Sequence, residues 1–187
     1  CAHGSSEMME TPTLSQIAGR DSMLMTRAGN IRLACFDVDG TLTDGRLFFD
    51  GEGRELKAFH VHDGQGLVLL RQIGIEVALI TARHSEVALR RANELKVRAH
   101  IGVRELCAEL GIGLDAVCFM GDDLPDLAAM RAVGLSVAPA NAHEFTRDAA
   151  QLRTRANAGD GAARELCDLL VAAQGSFDDP PPTGELA

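Results

Sequence analysis

The sequence has no long apolar run, no close pair of cysteines and no excess of basic residues. Its most apolar stretch, residues 66–80, is interrupted by Arg71, Gln72 and Glu76, and a membrane span needs about 18 uninterrupted apolar residues. Eighteen Lys and Arg stand against 27 Asp and Glu, which gives a net charge of -9. This balance argues against binding to nucleic acid or to anionic membranes. We expect neither as a partner.

The five cysteines are an odd number, with no CxxC pair and no histidine nearby at zinc-finger spacing. This pattern excludes a conventional structural zinc site. Cys35 and Cys118 lie inside apolar runs, where a thiol behaves as a small buried hydrophobe. The first ten residues contain no basic segment followed by an apolar one, so no secretory signal is visible. We therefore expect a reducing compartment and a cytoplasmic protein.

The rest of the composition is that of an ordinary globular protein, with 46% hydrophobic and 24% charged residues. A chain of 187 residues suits one compact domain. We divide it into an N-terminal extension over 1–29, in part a possible cloning remnant, a domain over 30–174 and a tail over 175–187. The tail contains three consecutive prolines and is expected to be flexible.

Apolar strands alternate with helical stretches along the domain. The predicted strands cover 31–38, 75–81, 116–120 and 135–138, and the predicted helices cover 66–73, 85–95, 125–131 and 161–173. This alternation indicates an α/β protein with a Rossmann-like, three-layer, doubly wound parallel sheet. In such a fold the site lies at the carboxyl ends of the strands.

One segment interrupts the alternation. Short runs on either side of Gly51-Glu52-Gly53 predict a β-hairpin inserted over about residues 46–61. Its apolar residues are more numerous than a free-standing ribbon requires: Leu47, Phe48, Phe49 and Phe59. We expect that surface to meet another subunit, with packing on its own domain an equal alternative.

The most informative motif is Asp37-Val38-Asp39-Gly40-Thr41, directly after the first predicted strand. Two carboxylates two residues apart at a strand end share a small volume, where their repulsion is costly without a cation. Ligands that are all oxygen favour Mg²⁺. Taken alone, the motif also fits a turn with an aspartate cap.

With its neighbours, this motif resembles the haloacid dehalogenase-like phosphatases, in which a DxDGT/V signature follows the first strand. Thr81 ends the second apolar strand, and Gly121-Asp122-Asp123-Leu124-Pro125-Asp126 follows the third. The order of these segments along the chain is that of the family.

The resemblance implies hydrolysis through an aspartyl-phosphate intermediate. It assigns Asp37 as the nucleophile, Asp39 as general acid and base, and Thr81 as a hydrogen-bond donor to the phosphoryl group. It places Mg²⁺ on Asp37, on the main-chain carbonyl of Asp39 and on Asp122. Asp123 and Asp126 take supporting acidic roles.

A longer pattern over 31–175 resembles the 3-deoxy-D-manno-octulosonate 8-phosphate (KDO 8-phosphate) phosphatases. It consists of Glu55-Leu56-Lys57-Ala58-Phe59, His62-Asp63-Gly64-Gln65-Gly66, Ile80-Thr81-Ala82-Arg83, and two later segments over 133–138 and 164–170. The resemblance implies that no large cap domain is present and that the hairpins form a homotetramer. It also implies a sugar-acid phosphate as the substrate.

The same resemblance implies a set of substrate contacts. Arg83 and Arg91 would supply positive charge for the sugar acid, since a guanidinium pairs well with a carboxylate. The remaining contacts are expected at Asp39, His60, Val61, His62, Asp63, Gly64 and Val68.

The chain departs from the family at one position. The family has a Lys at the start of the helix before the GDD strand, where it pairs with the nucleophile and the phosphate. Here that segment is shorter, and no Lys follows Lys96. A loop carrying the Lys is missing near residues 101–105, or Arg104 or Lys96 substitutes for it, or activity is impaired.

The sequence therefore predicts a magnesium-dependent phosphomonoesterase that hydrolyses KDO 8-phosphate in lipopolysaccharide precursor biosynthesis. One alternative is a phosphatase for nine-carbon sugar-acid 9-phosphates, and another is a non-catalytic tetrameric assembly module. A receiver-type signalling domain is disfavoured by the hairpin insertion. A dinucleotide-binding enzyme is excluded because the GxGxxA match at 111–116 precedes a strand instead of following one.

Overall fold

The computed structural model describes residues 22–81 and 85–175. Its strands, in chain order, are β1 (Leu33–Asp37), β2 (Phe48–Phe49), β3 (Glu55–Leu56), β4 (Glu76–Ile80), β5 (Arg98–His100), β6 (Val117–Met120), β7 (Leu135–Ala138) and β8 (Leu152–Arg153). Its α-helices are α1 (Ser22–Gly29), α2 (Val61–Gln72), α3 (Glu86–Leu95), α4 (Val103–Leu110), α5 (Leu127–Met130), α6 (Glu144–Ala149) and α7 (Ala162–Ala173).

Six of the strands form one parallel sheet, in the order β5-β4-β1-β6-β7-β8. The central β1 pairs with β4 on one side and with β6 on the other. The chain therefore builds one half of the sheet and then crosses β1 to build the other half. This confirms the predicted doubly wound α/β fold, and residues 22–81 and 85–175 contain no large cap domain.

Helices cover both faces of the sheet, which is why its strands are apolar throughout. Along β1, Ala34 and Phe36 face a core shared with α1, α2, α3 and α7. Leu33 and Cys35 face the other core, which α4 and α5 complete. None of the described helices has the length and apolar character needed to cross a membrane.

The predicted hairpin is present, although its strands are only two residues long. Phe48 pairs with Leu56 in the antiparallel ladder. The Asp50 carboxylate closes the turn, accepting hydrogen bonds from the N–H groups of Glu52 (2.8 Å) and Arg54 (2.9 Å). The hairpin ends before Val61, which the sequence pattern included in it and which instead begins α2.

Helix α2 also begins five residues earlier than the helix predicted from Gly66. Gly64 and Gly66 are poor helix formers, so the apolar periodicity alone gave too late a start. Both glycines allow close packing. A Cβ at Gly66 would lie 3.0 Å from the Cβ of Cys167 on α7, and one at Gly64 would collide with the guanidinium of Arg91 on α3.

The sequence analysis missed β5 and β8 because three and two residues are too short for an apolar run. The short crossover before β6 consists of β5 and α4. β5 leads into α4 through Gly102, whose N–H donates to His100 Nδ1 (3.1 Å). At the other end of the domain, α1 packs against α7 and buries Ala28. The domain boundary at residue 30 stays a prediction.

Candidate active site

Three separate stretches deliver polar residues to one rim of the sheet. Asp37 is the last residue of β1, Thr81 directly follows β4, and Asp122 lies two residues beyond β6. Because these strands are adjacent and parallel, their carboxyl ends open on the same edge, next to the crossover at β1. Thr81 is buried, and its N–H donates to the carbonyl of His100 (3.1 Å).

The turn after β1 is shaped to receive Asp122. Gly40 has a φ of 94°, a conformation that favours glycine, and a Cβ at this position would collide with the Asp122 carboxylate. The Thr41 hydroxyl donates to Asp122 Oδ1 (3.4 Å), and the Thr43 hydroxyl accepts from the N–H of Gly40 (3.2 Å). The Gly-Thr part of the motif therefore serves contact with a residue far along the chain.

Asp126 stabilises the loop formed by Gly121, Asp122 and Asp123 through its carboxylate. Its Oδ2 accepts hydrogen bonds from the N–H groups of Asp122 (2.9 Å) and Asp123 (3.2 Å). The Asp123 carboxylate in turn accepts from the N–H of Leu124 (2.7 Å), forming a capping box. Asp123 is exposed and acts here through the loop backbone. These bonds fix the backbone that carries Asp122.

The structure brings Asp37, Asp122 and Asp126 together, with one carboxylate oxygen from each lying within 4.8 Å of the others. Burial, followed by the charges of Asp126 and Asp122, raises the pKa of Asp37 to about 8. Burial and the charges of Asp126 and Asp123 raise the pKa of Asp122 to about 7. The pKa of Asp126 is raised as well, mainly by burial. Three such groups resist joint ionisation at neutral pH unless a cation joins them.

The residues present fit a hard divalent cation. Every donor in the group is a carboxylate oxygen, the ligand type that Mg²⁺ prefers, and no thiolate or imidazole belongs to this cluster. Two of the predicted metal ligands, Asp37 and Asp122, are in the group, together with Asp126 from the predicted supporting set. The side chain of Asp39 is engaged elsewhere. Its predicted contribution is a main-chain carbonyl, which stays a prediction.

A lysine of the motif over residues 55–59, to which the sequence analysis gave no site role, reaches this rim from the end of the hairpin. The ammonium of Lys57, directly after β3, hydrogen-bonds Asp39 Oδ1 and lies 3.0 Å from Glu55 Oε1. Its side chain is 2% exposed. Burial alone would lower the pKa of Lys57, but the hydrogen bonds and charges of Asp39 and Glu55 outweigh burial and raise it. Lys57 is therefore a buried ammonium ion.

The signal for Lys57 was the spacing of Glu55 and Lys57, since alternate residues of an extended segment point the same way. The two proposed substitutes for the family Lys are both exposed, and their roles stay predictions. Arg104 is exposed on α4, and Lys96 is exposed at the end of α3. Lys96 lines a groove with Arg71 and Glu76, at the amino end of β4 and thus at the opposite edge of the sheet. The lysine seen at the acidic rim is Lys57.

The predicted sugar-contact residues lie around the start of α2. Val61 and His62 are exposed, and the rings of His60 and His62 meet edge to face at 5.0 Å. His60 Nδ1 is buried without a hydrogen-bond partner among the described residues. Val68, about two helical turns beyond Val61, is half-buried against the core. The roles of these residues in substrate binding stay predictions.

Asp63 has a structural task. It is 2% exposed, and its carboxylate accepts from the N–H groups of Arg164 (2.8 Å) and Gly161 (3.3 Å) at the start of α7. The capped helix start stabilises an anionic side chain, although burial raises the pKa of Asp63 overall. The sequence analysis missed this cap because it joins residues 98 apart or more.

Arg91 lies behind the same loop. Its guanidinium stacks over the Phe59 ring at 5.5 Å, contacts Gly64 and pairs with Glu94 (3.0 Å). The contact with Phe59 anchors the end of the hairpin segment on α3. The other predicted arginine, Arg83, lies outside the described residues.

The chain is similar to proteins of known family. Residues 100–166 match the family model of haloacid dehalogenase-like hydrolases. The 3-deoxy-D-manno-octulosonate 8-phosphate phosphatase of Salmonella typhi is 42% identical over 164 residues, which cover 83% of this chain and 87% of the relative. The chain belongs to the KDO 8-phosphate phosphatase family. This confirms the resemblance that the motifs indicated.

Solved structures of similar proteins agree with this assignment. The Moraxella catarrhalis enzyme, in complex with a magnesium ion, a phosphate ion and a KDO molecule, is 41% identical and has a TM-score of 0.80, covering 83% of this chain and 94% of that one. A hypothetical protein from Xanthomonas campestris is 54% identical with a TM-score of 0.84, covering 89% and 94%.

Proposed function

We propose that this protein is a magnesium-dependent phosphomonoesterase that hydrolyses KDO 8-phosphate to KDO and phosphate, a step in lipopolysaccharide precursor biosynthesis. The observation that carries the proposal is the group of Asp37, Asp122 and Asp126 at the carboxyl rim of the sheet. It occurs in a chain that shares 41% identity with a family member holding magnesium, phosphate and KDO.

In the proposed reaction, the Asp37 carboxylate attacks phosphorus and the bond from phosphorus to the sugar oxygen breaks. Asp39 donates a proton to that oxygen, so the sugar leaves as an alcohol. A water molecule then loses a proton to Asp39 and attacks the aspartyl phosphate. The bond from phosphorus to Asp37 breaks, which releases phosphate and restores both carboxyl groups.

Asp37, Asp122 and the main-chain carbonyl of Asp39 would hold Mg²⁺, with Asp123 and Asp126 supporting Asp122. When bound, the ion neutralises charge on the phosphoryl group and on the carboxylates around it. Asp126 keeps the Asp122 backbone in place through its two N–H contacts. The Thr81 hydroxyl donates to a phosphoryl oxygen.

The sugar acid lies along the start of α2 in this proposal, near His60, Val61, His62 and Gly64, with Val68 behind them. Asp63 fixes that loop by capping α7. Arg91 supports it from α3, and Arg83 pairs with the sugar carboxylate.

The proposal includes a homotetramer joined through the hairpins. Leu47, Phe48, Phe49 and Leu56 are all about half or more exposed, and clustered apolar surface of this kind marks an interaction site. Phe59 differs, since it packs on its own domain. Light scattering after size exclusion tests the assembly, and a monomeric parent protein would overturn it.

A cytoplasmic location is supported by four buried free thiols, of Cys35, Cys107, Cys118 and Cys167.

The activity test is phosphate release from KDO 8-phosphate with and without Mg²⁺, with Asp37→Asn as the control. We expect release that requires Mg²⁺ and is lost in the variant. A faster reaction with a nine-carbon sugar-acid 9-phosphate would change the assigned substrate. No release from any sugar-acid phosphate would leave the non-catalytic assembly module as the better reading.

A further inference from the structure

The buried Lys57 is a charged group that the mechanism above does not use. An ammonium has three donors and no acceptor. Here it bonds Asp39 on one side and Glu55 on the other. Ordering a lysine side chain costs rotamer entropy, and burying its charge requires paired partners. The two carboxylates supply those partners and hold the ammonium in one place.

Asp39 needs such an anchor because of its neighbours. It lies two residues from Asp37, and its carboxylate is outside the group formed by Asp37, Asp122 and Asp126. Asp39 is also partly open to the solvent, with a side chain 35% exposed. A carboxylate in that position can rotate toward a cation at the acidic group or out into water. The bond to Lys57 opposes both movements.

We propose that Lys57 is a positioning residue, which holds the Asp39 carboxyl group on the leaving-group side of the site while Glu55 holds Lys57. The inference rests on the proposed function. It gives the hairpin a part in each protomer's own chemistry, because the bond between Lys57 and Asp39 lies within one chain.

A positioning role for Asp39 has a specific kinetic consequence. A sugar alkoxide is a poor leaving group and needs the proton that Asp39 donates, whereas a nitrophenolate leaves without one. Loss of alignment at Asp39 therefore slows hydrolysis of KDO 8-phosphate much more than hydrolysis of p-nitrophenyl phosphate. A general loss of structure slows both reactions equally.

The test compares Lys57→Met with the parent enzyme on both substrates. Met keeps the length and apolar body of the side chain and removes the charge. We expect kcat on KDO 8-phosphate to fall by about 10²-fold, the scale of general acid catalysis, while KM stays nearly constant. The rate on p-nitrophenyl phosphate should change far less. Glu55→Gln should give a smaller loss with the same substrate dependence.

Lys96→Met is the matched control, since the only other lysine of the chain is exposed at the opposite edge of the sheet. It should leave both rates unchanged. If Lys57→Met does not fold, as judged by circular dichroism, Lys57→Gln replaces it, since Gln also removes the charge, and it should show the same substrate dependence.

Equal losses on the two substrates, or a rise in KM with kcat unchanged, would overturn the inference. Parental rates in a folded Lys57→Met protein would overturn it while leaving the proposed function intact. A parent enzyme inactive on both substrates would overturn the proposed function, and this inference with it.

Discussion

The sheet and the hairpin differ in how far their apolar side chains are buried. Phe36, Leu79 and Phe119 in the sheet are fully buried by the helices of their own domain. Phe48 and Phe49 in the hairpin are exposed, and two strands of two residues cannot cover them. Charge is distributed differently from apolar surface, since the ammonium of Lys57, directly after the hairpin, is buried. The sheet is thus covered by helices of its own chain. The hairpin, in contrast, contacts the acidic rim through Lys57 and leaves Phe48 and Phe49 exposed.

The largest effect that separates these regions is expected for Asp37→Asn at the end of β1. Loss of the nucleophile should reduce phosphate release on the order of 10⁴-fold or more, equivalent to at least about 5.5 kcal/mol of activation free energy. The metal-free protein should be no less stable, because an amide replaces a carboxyl group whose ionised form is unfavourable at this buried position. Phosphate release and thermal unfolding measure the two outcomes.

Asp148→Asn, at an exposed acid on α6, is the control and should keep full activity. For Asp37→Asn we expect a loss on the order of 10⁴-fold. Activity above about one hundredth of the parent value would contradict the role of Asp37 as the nucleophile.

A smaller effect is expected on stability, and it distinguishes apolar side chains buried within one chain from those buried between chains. Leu70→Ala, in the core under the sheet, should reduce the free energy of unfolding by about 2–5 kcal/mol at any protein concentration. Phe49→Ala should instead weaken assembly, so that its loss of stability depends on protein concentration. Urea unfolding at several concentrations measures both. A loss in Phe49→Ala that is independent of concentration would mean that the hairpin packs within its own domain.

Two glycines provide the third comparison. Gly40→Ala should be unfavourable by about 1–3 kcal/mol because of its positive φ, and its Cβ would displace the Asp122 carboxylate. We expect weaker Mg²⁺ binding by calorimetry. Gly51→Ala in the hairpin turn is the matched control, since a Cβ there meets nothing within 4 Å. Equal Mg²⁺ affinity in the two variants would refute the contact between Gly40 and Asp122.

The last effect is the pH dependence of stability in the metal-free protein. Asp37 titrates near its ordinary pKa of 3.8 when unfolded, and folding raises its pKa to about 8. Its protonated form therefore stabilises the fold fully below about pH 4, and this contribution is lost as pH rises through about 8. The loss amounts to at most about 1.4 kcal/mol per pH unit. Asp122, with a pKa raised to about 7, acts in the same direction.

In EDTA, the stability of the parent relative to Asp37→Asn should thus fall between pH 6 and pH 8. Added Mg²⁺ should stabilise the parent more at pH 8 than at pH 6, because the ion and protons compete for the same oxygens. Thermal unfolding at both pH values measures this. A stability difference between parent and variant that is constant over the range would contradict the raised pKa of Asp37.

Much of the sheet and its acidic rim could be predicted from sequence because the relevant signals are local. An apolar strand followed by Asp37 or Asp122 indicates a strand end, and parallel topology then brings such ends together. β5 and β8 escaped prediction since they are short edge strands that rely on pairing with β4 and β7. The start of α2 was misplaced because its glycines serve packing against α3 and α7.

The site residues that were missed or given another role depend on contacts between distant segments. Lys57 meets Asp39 only because the hairpin folds back over the turn after β1. Asp63 caps a helix near the other end of the domain. Asp126 joins the acidic group through a capping box whose geometry the letters GDD do not specify. Spacing along the chain contains no record of these approaches.

The enclosure of Lys57 also gives the protein a chemical reporter. The chain has two lysines, and the side chain of Lys57 is 2% exposed whereas Lys96 is open to solvent. An amine-acylating reagent should therefore modify Lys96 rapidly, and Lys57 only when the hairpin moves away from the acidic rim. The acylation rate at Lys57, followed by mass spectrometry of its peptide, measures how often the hairpin separates from the rim in solution.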